Sequence, residues 1–105
     1  MRPKLVDSPS VPLQLNIDGD MTIRRAAELK PLLLPALEHP GGLQLQLQAV
    51  TEIDATGLQL LLATQAALRA LGRPFAIDGC SQPVADALDL LGLRETLAPS
   101  SDTLH

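Results

Sequence analysis

A chain of 105 residues with 46% apolar but only 1% aromatic side chains has material for one, mainly aliphatic core. Eight Lys plus Arg against twelve Asp plus Glu give a net charge of −4, which does not draw nucleic acid, and with no Tyr or Trp there is no platform for stacked bases. The one cysteine, Cys80, forbids an internal disulfide and fits a reducing compartment, and neither histidine has metal-ligand spacing with it.

Residues 1–10, with Pro3, Ser8, Pro9 and Ser10, read as a flexible leader. They carry no apolar signal core, and no apolar run is long enough to span a bilayer, so a cytoplasmic protein without membrane insertion is expected. Val11 to Asp18 alternates, with Val11, Leu13, Leu15 and Ile17 on one face of a predicted strand. Gly19-Asp20 reads as a turn, and Met21-Thr22-Ile23 as a very short second strand. Thr22 or Asp20 is the expected cap of the next helix, whose buried stripe is Ala26, Leu29, Leu33 and Leu37. Pro31 and Pro35 each cost a helix interior roughly 3 kcal/mol, which predicts a kink or break near Lys30. His39-Pro-Gly-Gly42 closes the segment with a turn.

Leu43 to Val50 alternates Leu with Gln, the period of a strand with one buried face. From Leu58 the pattern becomes a Leu/Ala run uninterrupted until Gly72, enough for about four to five helical turns. Between them, Asp54 is placed to cap the helix, Thr56 lies in its first turn near free N–H groups, and Gly57 leaves one flank of that hydroxyl open to close approach. Leu58, Leu61, Leu62 and Leu68 are expected to press on the sheet. Ala63, Ala66, Ala67 and Ala70, headed by Gln59, form an opposite face with almost no charge, which suits either good helix formation or close docking. Phe75 to Asp78 is a short strand. Ser81 is the expected cap of a last helix with Pro83 in its first turn, Gly92 at its stop and Val84, Leu88 and Leu91 inside. Leu93 to Leu97 is expected to fold back on the body, and residues 98–105 read as a polar tail.

Asp54-Ala-Thr-Gly57-Leu58, after an alternating strand and before a Leu-rich helix, resembles the Asp-Ser-Ser/Thr-Gly-Leu signature of the STAS family, which includes bacterial anti-sigma factor antagonists. The resemblance continues through Leu68 to Gly72, Phe75 to Asp78, Ser81-Gln-Pro-Val84 and Leu88-Asp-Leu-Leu-Gly-Leu93, from about Val11 to Leu97. Pattern and resemblance together give an α/β fold: a single STAS domain over residues 11–97, with a small mixed β-sheet of about four strands and three to four helices packed mainly on one side. The strands at 43–50 and 75–78 are expected parallel and adjacent or nearly so.

No nucleophilic triad, paired carboxylate site or phosphate-cradling glycine loop is evident, so no enzyme, metal or cofactor is expected. By resemblance, Thr56 is the phosphate acceptor of a transcription-regulating partner switch, modified by a serine/threonine kinase of the anti-sigma type. Asp54, Ala55, Thr56, Gly57, Leu58, Gln59 and Ala63 form the implied partner-binding face. Ala55 stands where many relatives carry a first Ser. The alternative implied by resemblance is a constitutive, unphosphorylated subunit, set against the ATPase of a lipid-transport ABC complex or within a chemotaxis-associated assembly.

Overall fold

The computed structural model describes residues 11–99, so the leader and the end of the polar tail lie outside the described residues. The chain runs β1 (Leu13–Met21), a 3-10 turn (Ile23–Arg25), α1 (Ala26–Leu33), a second 3-10 turn (Leu34–Glu38), β2 (Leu43–Ile53), α2 (Ala55–Ala70), β3 (Phe75–Cys80), α3 (Gln82–Leu90) and α4 (Arg94–Leu97). The α/β class holds. Among the described residues, however, the sheet has three strands in the order β1-β2-β3, and both pairings are parallel. The expectation of a mixed sheet of about four strands is corrected to that extent. β2 and β3 are parallel neighbours, as expected.

The missing short strand has a physical reason. Gly19-Asp20 does not reverse the chain; β1 continues to Met21, and a bulge absorbs the irregularity where Gly19 takes φ 77°. The Arg25 guanidinium straps this bulge from outside, donating to the carbonyls of Asp18 at 2.6 Å and Asp20 at 2.8 Å. Along β2 the Leu/Gln alternation also breaks. Asn16 faces Gln46 but Asp18 faces Ala49, so β2 carries an extra residue there. Gln48 and Ala49 both point outward, and Val50 returns to the core.

Parallel strands in sequential order, joined by helical crossovers of one hand, bring their helices to one face. There Ile17, Leu43, Leu45, Leu47 and Ile77 from the strands meet Leu29, Leu33, Leu61, Leu68, Val84 and Leu88 from the helices in one buried cluster. The opposite face carries the glutamines, with Gln46 donating to Gln14 at 2.9 Å and Gln48 to the Asp78 carbonyl at 2.9 Å. Leu62 is only half-buried; Thr64 takes an inner position and bonds back to the Leu60 carbonyl at 2.7 Å.

Three further expectations change. α1 runs through Pro31, and the break falls after Leu33, where the backbone tightens into the 3-10 turn containing Pro35. The Pro35 ring is incompatible with an α-helical carbonyl at Pro31, which accounts for the later position. In α3, Leu91 is exposed at the C-cap and Ala87 packs inward beside Val84 and Leu88. Ser81 occupies the N-cap of α3 without capping it; its Oγ is buried with no hydrogen-bond partner among the described residues. The fold-back is present as α4, with Leu97 buried, and the buried Pro99 carries the described body two residues further.

Candidate functional site at the end of the central strand

The turn between β2 and α2 sits at the carboxyl end of the sheet, beside the end of β1. A helix start leaves its first N–H groups without intrahelical partners. Asp54, extended at φ −123° and ψ −172°, caps α2 by accepting from the Gly57 N–H through Oδ1 at 3.1 Å. Its second oxygen, Oδ2, accepts from the Ile23 N–H at 3.1 Å, although Ile23 lies 31 residues away in sequence. One carboxylate therefore caps two turns at once. The expected caps, Thr22 and Asp20, are turned toward each other instead: the Thr22 hydroxyl donates to the Asp20 carboxylate, and Thr22 is buried. The Ile23 N–H, then those of Gly57 and Thr56, hold the Asp54 carboxyl below its ordinary range against the opposing effect of desolvation.

Gly57 is required by this arrangement rather than by an incoming molecule. A Cβ there would lie 2.1 Å from the Met21 carbonyl oxygen and 2.9 Å from Ile53 Cγ1. The flank that the sequence suggested was open is filled by the end of β1. That strand end also receives the Asp54 N–H on the same Met21 carbonyl, at 3.3 Å. Gly57 and Leu58 are both buried. They hold the turn in place and present no surface.

What the turn does present is Ala55, Thr56, Gln59 and Ala63. Ala55, Gln59 and Ala63 are exposed and Thr56 is half-buried, and the Thr56 hydroxyl forms no hydrogen bond among the described residues. Ala66 and Ala70 continue the exposed, uncharged face along α2. Two neighbours were missed by sequence reasoning. Ile23, 70% exposed, stands at the corner tied to Asp54, and Arg24 bridges Asp20 and Glu52 at 3.5 Å each. Beyond Ala63, the seam between α1 and α2 opens into a groove of about 340 Å³ lined by Leu33, Leu34, Leu37, Leu60 and Ala67, with Lys30 at its rim. An apolar Ile immediately after Thr22, an expected cap, was the available signal for the corner. No comparable signal marked the groove, because it depends on how the two helices pack.

Among the described residues no group of His, Cys, Asp and Glu could hold a metal ion, and no helix is long and apolar enough to cross a membrane. A family model described as "Mlab, STAS domain" matches residues 5–99. The chain belongs to the STAS domain family. This STAS domain is 26% identical over 85 residues to the anti-sigma-B factor antagonist of Bacillus subtilis (strain 168), covering 81% of this chain and 78% of that protein. Its fold is similar to the crystal structure of a sulfate transporter family protein from Wolinella succinogenes, with a TM-score of 0.66 and 30% identity over 80% of this chain and 69% of that one.

Proposed function

We infer that this STAS domain is a non-enzymatic protein-docking module of the anti-sigma-factor-antagonist kind, switched in the cytoplasm by phosphorylation of Thr56. The likeness to the anti-sigma-B factor antagonist supports the class. The observation that carries the site is the Thr56 hydroxyl, set in the first turn of α2, half-buried and without a hydrogen-bond partner among the described residues. It is open to a kinase while Asp54 holds the N–H of the next residue, Gly57.

In the switch, a serine/threonine kinase of the anti-sigma type transfers the terminal phosphoryl group of a nucleoside triphosphate. The Thr56 Oγ1–phosphorus bond forms, the phosphoanhydride bond breaks, the hydroxyl proton leaves to a base on the kinase, and nucleoside diphosphate departs. The added charge of about −1.5 to −2 then sits in the middle of an uncharged face. The first-turn N–H groups of α2, which Asp54 engages in the unmodified domain, can hold it without unfolding the domain, while an apolar or acidic partner surface is repelled. In this reading Ala55, Thr56, Gln59 and Ala63 touch the partner, and Asp54, Gly57 and Leu58 fix the turn that displays them.

A second reading makes Thr56 a permanent contact in a constitutive subunit of a transport complex. The match to the "Mlab, STAS domain" model and the likeness to a sulfate transporter family protein favour it. Intact-mass measurement of the protein from its native cells, with fragment mapping and a Thr56→Ala control, separates the two. One phosphate on Thr56 and none on the control supports the switch. Protein unmodified in every growth condition and co-purifying with an ATPase supports the fixed subunit.

A further inference from the structure

We propose that the Asp54 carboxylate is a latch that transmits the state of Thr56 to the β1–α1 corner, so that phosphorylation moves Ile23 as well as adding charge. This rests on Thr56 being the acceptor, and it adds a second, movable region to the docking face. Asp54 serves two donors on separate segments, Gly57 within its own turn and Ile23 at the start of the 3-10 turn, each at 3.1 Å. A carboxylate that meets two fixed donors cannot shift without losing one of them. The Gly57 N–H is local, at the position an N-cap Asp reaches most readily. The Ile23 N–H belongs to another element and cannot follow.

A dianionic phosphate on Thr56 repels the neighbouring Asp54 and competes for the same helix-terminal N–H groups. The cross-segment bond is the one released. What it held is the corner carrying the Ile23 side chain, 70% exposed and tied to the α2 cap through Asp54, so its release changes the shape of the surface next to the turn. On the far side the corner stays anchored, because Arg25 still grips the Asp18 and Asp20 carbonyls. The movement is therefore confined to Ile23 and Arg24.

The test uses the purified full chain carrying phosphothreonine installed at position 56 during translation, which needs no knowledge of the kinase. The Ile23 amide is followed by NMR and compared with the unmodified chain and with Asp54→Asn, which keeps one carbonyl acceptor but loses the charge. The latch predicts that the Ile23 amide proton of the phosphorylated chain moves to the position seen in Asp54→Asn. It also predicts roughly tenfold faster exchange with solvent, the effect of losing one charge-assisted hydrogen bond. An Ile23 amide unmoved by phosphate, while those of Thr56 and Gly57 respond, overturns it. The two readings fail separately. Native protein bearing phosphate together with a fixed Ile23 sinks the latch alone, whereas an unphosphorylated native protein sinks the switch.

Discussion

Asp54 and Ile23, 31 residues apart, are joined by a carboxylate-to-amide hydrogen bond of 3.1 Å, and through it the starts of two helical segments become one surface. Both are placed by the parallel sheet, which delivers the ends of β1 and β2 to the same end of the sheet. Asp54→Ala removes this bond and the α2 cap together. It should lower the thermal midpoint by several degrees, and Asp54→Asn by less, because the amide retains an acceptor. Circular dichroism melting of the two variants checks the order.

Acid should weaken the fold through three carboxylates. Asp54 is held below its ordinary 3.8 by the Ile23 N–H, Asp20 by the Thr22 hydroxyl with help from Arg24, and Asp89 by the Arg94 guanidinium. A carboxyl with a depressed folded-state pKa adds stability that is complete above its unfolded value and is lost as pH falls through the folded one. Urea midpoints should therefore hold steady down to about pH 5 and decline below about pH 4. Asp54→Asn should flatten that decline. A profile identical in wild type and variant would remove Asp54 from the account.

Gly57→Ala should cost about 2–3 kcal/mol or more, since the new methyl has backbone rather than a flexible side chain in its way. Equilibrium urea unfolding measures it. A neutral result would mean that the Met21 carbonyl yields easily and that the closeness of the two strand ends does not constrain the turn.

Arg25→Met should destabilise by about 1–2 kcal/mol through loss of the two carbonyl bonds that Nη1 makes at the bulge, and Arg25→Lys should restore only part of it, because one nitrogen serves both carbonyls but the ammonium must reach them on a differently shaped stem. Hydrogen exchange at residues 18–21 should quicken in both variants.

Ala63→Arg separates docking from folding. Ala63 is exposed on α2, so stability should change by less than about 0.5 kcal/mol. Leu61→Ala, two residues earlier and fully buried, should cost about 3 kcal/mol. Recovery of the native partner on the tagged chain should fall with Ala63→Arg while the melting curve stays in place. Retained recovery would move the docking face away from this side of α2.

The class of fold, the central strand and the helix after it were legible in the residues themselves. Period-2 alternation from Leu43 and helical spacing from Leu58 are properties of the backbone that any half-buried strand or helix must show. Asp54 as a helix cap was legible for the same reason, since an N-cap acts within three residues. Tertiary structure decided whatever depends on a second segment. Gly19-Asp20 has the composition of a turn, yet it stays in β1 because pairing with β2 and the grip of Arg25 outweigh local preference. Gly57 looked like an opening to a partner and is instead the place where the Met21 carbonyl enters. The second oxygen of Asp54 found its donor at Ile23 because β1 and β2 end together, and spacing along a chain carries no record of which distant N–H lacks a partner.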